Sequence, residues 1–62
     1  MSTFDFTYID NEGDTYSSDE FNTLSEARQA WKEIKAEYDG DCRIDETWEY
    51  NSDGDFVGRP RI

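Results

Sequence analysis

Thr23-Leu24-Ser25-Glu26-Ala27-Arg28-Gln29-Ala30-Trp31-Lys32-Glu33-Ile34-Lys35-Ala36-Glu37-Tyr38-Asp39-Gly40 is the stretch from which the rest of the chain can be placed. Leu24, Ala27, Trp31, Ile34 and Tyr38 recur at spacings of three and four, which puts them on one stripe of an α-helix. Thr23 and Glu26 have the spacing of a capping box, in which the hydroxyl and the carboxylate each meet a free backbone N–H. Gly40 supplies a C-terminal cap. A helix with one apolar stripe needs a surface to cover, and the flanking segments provide it.

On the N-terminal side, Phe4, Phe6 and Tyr8 alternate with Thr3, Asp5 and Thr7, the period-two pattern of a strand over residues 3 to 9. Asp10-Asn11-Glu12-Gly13-Asp14 is a turn, and Thr15-Tyr16-Ser17-Ser18 resumes the extended pattern. On the C-terminal side, Cys42, Ile44, Trp48 and Tyr50 alternate with Arg43, Asp45, Thr47 and Glu49. Glu46 falls on the apolar side of that alternation, which marks an edge or a bulge. A second turn, Asn51-Ser52-Asp53-Gly54-Asp55, leads into a short strand, Phe56-Val57-Gly58-Arg59, that Pro60 confines to an edge. The expected fold is one α+β domain over residues 1 to 62, of order ββαββ, with one helix on an antiparallel sheet of about four strands. Trp31 and Trp48 are expected to share one core.

A chain of this size buries only about 60% of the surface it exposes when unfolded, so large side chains must compensate. Ten aromatic residues do so, too many for a disordered acidic tail. One cysteine, Cys42, excludes an internal disulfide and suits a reducing cytoplasm. The N-terminus has no basic start or apolar run of a signal peptide, and no stretch reaches membrane-spanning length, so a cytoplasmic protein without a membrane partner is expected.

Catalytic and metal chemistry are not signalled. There is no histidine, and one cysteine alone makes neither a zinc site nor a Cys–His nucleophile pair. The carboxylates would need a cleft that so small a chain can hardly build. Glu49 to Gly54 resembles the first half of an EF-hand loop, but Pro60 stands where a bidentate Glu is required. No enzyme, cofactor or metal site is therefore expected.

Charge is the dominant feature: sixteen acids against six bases leave a net charge of −10. Residues 1 to 27 hold seven acids and no base, and residues 36 to 55 hold eight acids and Arg43 alone. Such a molecule avoids nucleic acid and anionic membranes and is drawn to basic surfaces. Residues two apart on a strand lie about 6.8 Å apart on one face, close to the spacing of phosphates along DNA. Carboxylates so spaced can meet Lys and Arg side chains built to hold phosphates. Solubility alone needs far less charge, and like charges about 10 Å apart repel by roughly 0.4 kcal/mol per pair in water. The expected contact residues are Asp5, Asp10, Glu12, Asp14, Asp45, Glu49, Asp53 and Asp55, chosen because strand pattern or turn position exposes them.

In length, acidity, aromatic-rich core and Gly-Asp hairpins, the chain resembles the small phage-encoded anti-CRISPR proteins that inhibit type I systems. The resemblance is of type, without a shared motif, and assigns no residue a role. It implies a stoichiometric inhibitor in the host cytoplasm, a DNA mimic whose partner is a basic nucleic-acid-binding protein such as a Cascade subunit of a CRISPR effector. Phage DNA mimics that block restriction enzymes, histone-like proteins or repair proteins look the same at this level. The alternative is a small acidic interaction module that binds a surface unrelated to nucleic acid, as a monomer or small homo-oligomer.

Overall fold

The computed structural model describes residues 1–62. Its elements run β1 (Thr3–Ile9), β2 (Thr15–Ser17), α1 (Leu24–Glu37), β3 (Arg43–Tyr50) and β4 (Phe56–Gly58). The four strands form one antiparallel sheet in the order β2-β1-β3-β4, with α1 packed on one face. The ββαββ order and the single α+β layer pair therefore stand as the sequence predicts. The two long strands, β1 and β3, lie in the centre, and each carries a short hairpin partner on its outer edge. Because β1 and β3 are antiparallel, the two hairpin turns lie at opposite ends of a molecule 35 Å long.

The helix begins where its cap predicts. The Thr23 hydroxyl accepts from the Glu26 N–H at 3.1 Å. It ends slightly earlier than Gly40: Tyr38 is the cap residue, and Asp39 (φ 53°) and Gly40 (φ 80°) both take positive φ. The Gly40 N–H then closes on the Lys35 carbonyl at 2.8 Å. Asp39 occupies a backbone region that L-residues other than Asn and Asp rarely visit.

The core sits between α1 and the inner face of the sheet. Phe6, Ala27 and Trp31 are its buried centre, with Phe4, Tyr8, Phe21, Ile34, Cys42, Ile44 and Ile62 packed around them. Phe6 and Trp31 meet edge to face with centroids 5.8 Å apart, and Tyr8 lies 5.8 Å from Trp31. The fully buried Ala27 is the point where a small side chain lets the helix lie against the core. The tail closes the far side: Arg28 donates to the Arg61 carbonyl at 2.8 Å and Thr47 Oγ1 to the Pro60 carbonyl at 2.7 Å.

Trp48 is not part of this core, which corrects the expectation drawn from alternation. Along β1–β3, Phe6 pairs with Thr47 and Asp5 with Trp48, but the register shifts between Thr7, opposite Glu46, and Tyr8, opposite Ile44. Asp45 is the extra residue of this bulge. Opposed residues share a face, so Ile44 points to the helix with Tyr8, whereas Glu46, Trp48 and Tyr50 point to the open face with Thr7, Asp5 and Thr3. Unbroken alternation would have carried the Glu46 carboxylate under the helix with no cation to meet it, at a cost of several kcal/mol. Thr7 closes the bulge, donating to Asp45 Oδ2 at 3.4 Å and accepting from the Glu46 N–H at 3.2 Å.

Candidate functional site

The predicted contact residues separate into three groups. Glu12 and Asp14 are exposed at the first turn, and Asp53 and Asp55 are exposed at the second, at the other end of the sheet. Asp5 and Asp45 lie along the open face. Asp10 and Glu49 do not fit the reasoning that selected them. Asp10 is only 9% exposed, and Glu49 is half-buried opposite Phe4 on the helix side of the sheet.

Asp10 is withdrawn because it builds the turn. Its Oδ1 accepts from the N–H groups of Glu12 and Asp14, both at 2.9 Å. Burial pushes against its ionised form. The amides of Asp14 and Glu12, the Tyr16 phenol and the Gly13 amide outweigh burial and hold the carboxyl below its ordinary range. The bond to Asp10 in turn pushes the Tyr16 phenol up to about 12. Asn51 plays the same part in the second turn, its Oδ1 accepting from Asp53 and Asp55 at 3.0 Å each. That use of Asn51 accounts for the EF-hand-like spacing as turn chemistry.

Negative charge therefore gathers at two poles rather than over one open face. At the first, the Asp10 turn meets the end of the helix, where Asp41 and Cys42 adjoin Ile9 and Asn11 in a shallow hollow. Burial pushes the Cys42 thiol up, which keeps it protonated at neutral pH. At the second pole lie the exposed turn acids Asp53 and Asp55 and, by the Phe4–Phe21 bridge on the opposite edge, Asp19 and Glu20. Three of the six cations, all of them exposed, make contacts within the chain. Arg28 is bound to the tail, Lys35 lies 5.6 Å over Trp31, and Arg59 lies over Trp48 and Phe56. Only Glu46, 3.8 Å from Arg59, has a salt-bridge partner among the sixteen carboxylates.

Between the poles, the open face carries an aromatic patch, two of whose members, Trp48 and Tyr50, periodicity had placed on the apolar side of their strand. Trp48, Tyr50 and Phe56 are contributed by β3 and β4, and the Tyr50 and Phe56 rings meet at 6.1 Å. Phe56 is 52% exposed and its neighbour Val57 55%. The Arg59 guanidinium lies 5.7 Å from the Trp48 centroid and 5.6 Å from that of Phe56. The one signal in the sequence was Glu46, the charged residue inside an apolar alternation that ends in Trp48 and Tyr50.

Comparisons with protein-family models, with curated proteins and with solved structures find no match. No helix is long and apolar enough to cross a membrane.

Proposed function

We propose that the protein is a stoichiometric inhibitor whose acidic surface occupies a basic nucleic-acid-binding site on another protein. The supporting observation is the field: fifteen carboxylates without a salt-bridge partner, against six cations of which three, Arg28, Lys35 and Arg59, are engaged within the chain. Such a field steers a basic partner and repels nucleic acid itself. The two acidic turns end a molecule 35 Å long, and one turn of B-DNA spans about 34–36 Å. The resemblance to type I anti-CRISPR proteins makes a Cascade subunit the first target to test.

The test is the salt dependence of the dissociation constant with a purified type I Cascade complex, alongside duplex DNA competition. The proposed mechanism requires affinity to fall steeply with salt, DNA to compete, and the pairs Glu12→Gln/Asp14→Asn and Asp53→Asn/Asp55→Asn to slow association. Simultaneous binding of DNA and inhibitor to the target would overturn the mimicry reading. A second reading, an interaction module with an apolar anchor, draws support from Trp48, Tyr50 and Phe56 on the open face, residue types that carry much of the energy in protein interfaces. It expects shallow salt dependence and the main loss at Trp48→Ala.

A further inference from the structure

On the β1 side of Trp48 the open face holds a pocket of about 190 Å³ lined by Asp5, Phe6, Thr7, Ser17, Ser18, Trp48 and Tyr50. This volume is below that of typical cofactor sites, which run from about 300 Å³ upward, and is on the scale of one side chain. Its chemistry is specific. Asp5 stands directly opposite Trp48, with Thr3 and Tyr50 the next pair along and Thr7 opposite Glu46. The Asp5 carboxylate has no salt-bridge partner in the chain; its surroundings supply burial and the negative charge of Glu20, and both push it up. The pocket thus combines an uncompensated carboxylate with two aromatic rings and the hydroxyl of Ser17.

We propose that this pocket receives an arginine side chain of the partner protein, its guanidinium against Trp48 and its N–H groups on the Asp5 carboxylate. Planar guanidinium pairs with carboxylate in a fork and stacks on aromatic rings, whereas ammonium does so less well. The molecule carries its own precedent, because Arg59 already places a guanidinium over Trp48 from the β4 side. The proposal rests on the reading that the partner surface is basic, and it adds a short-range docking point to the long-range field.

The probe is N-acetyl-arginine amide, titrated into the full-length chain at low salt and followed by amide and indole NMR shifts. Saturating shifts are expected at Asp5, Ser17, Tyr50 and the Trp48 indole. Asp5→Asn should weaken binding about tenfold, and N-acetyl-lysine amide should bind several-fold more weakly than the arginine probe. Glu33→Gln removes the same charge from the helix and should leave the titration unchanged. Shifts spread over the turns, wild-type binding by Asp5→Asn, or equal binding of the lysine probe would each overturn the pocket. Such a failure is distinct from failure of the mimicry reading, which is decided by salt slope and DNA competition with the macromolecular target.

Discussion

The two hairpins share a turn and differ in where they send their aromatic rings. In each, a side-chain oxygen at the first turn position accepts two amides: Asp10 from Glu12 and Asp14, Asn51 from Asp53 and Asp55. Backbone closure matches as well, with Asp10 bonded to Asp14 and Asn51 to Asp55. Yet the first hairpin stacks Tyr8 and Tyr16 on the helix side, at 5.5 Å, whereas the second shows Tyr50 and Phe56 on the open side. Turn chemistry sets where a hairpin bends. Pairing register decides which face its side chains reach, and therefore whether a ring stabilises the fold or is free to meet a partner.

The largest expected effect separates the tryptophans that alternation had joined. Trp31→Ala should cost about 3–5 kcal/mol, enough to unfold a domain of this size, because it empties the centre of the core. Trp48→Ala should cost only about 1–2 kcal/mol, since Trp48 is partly buried and lies outside the core cluster. Urea denaturation of both variants measures the difference; equal losses would place Trp48 in the core with Trp31 and break the assignment of the second hairpin's rings to the open face.

The turns can be told apart by charge. Asn51→Ala leaves two amides to water and should cost about 1 kcal/mol at any pH. Asp10 differs because its folded pKa lies below the unfolded 3.8. Its contribution is present above that value and is lost as pH falls through the lower folded one. Asp10→Asn should therefore flatten the fall in melting temperature below pH 3.8, whereas Asn51→Ala, at a side chain that does not titrate, should not. The same substitution should return the Tyr16 phenol from about 12 toward 10.0, read by ultraviolet titration of tyrosinate.

The smallest effect lies outside both hairpins. Asp39→Gly should stabilise the fold by up to about 1 kcal/mol, because glycine takes positive φ without a Cβ penalty and one acid leaves a crowded pole. Thermal melts check the sign. A loss of stability would show that the Asp39 side chain has a role that its backbone conformation does not reveal.

Local rules were enough for much of this protein. The helix stripe from Ala27 to Ile34, the Thr23 cap, both turns and the bounds of the strands follow from short-range periodicity and backbone preference, which neighbouring residues determine. The acidic balance, too, is a sum over residues and needs no fold. Three features required the tertiary structure: the withdrawal of Asp10 into its turn, the division of the acids between opposite ends of the sheet, and the face on which Trp48 and Tyr50 emerge. Alternation along one strand defines two faces only while its ladder with the neighbouring strand is unbroken. A bulge is a property of two strands together. The extra residue at Asp45 reverses the second half of β3, and only the pairing of that strand with β1, some forty residues away in sequence, decides that it does.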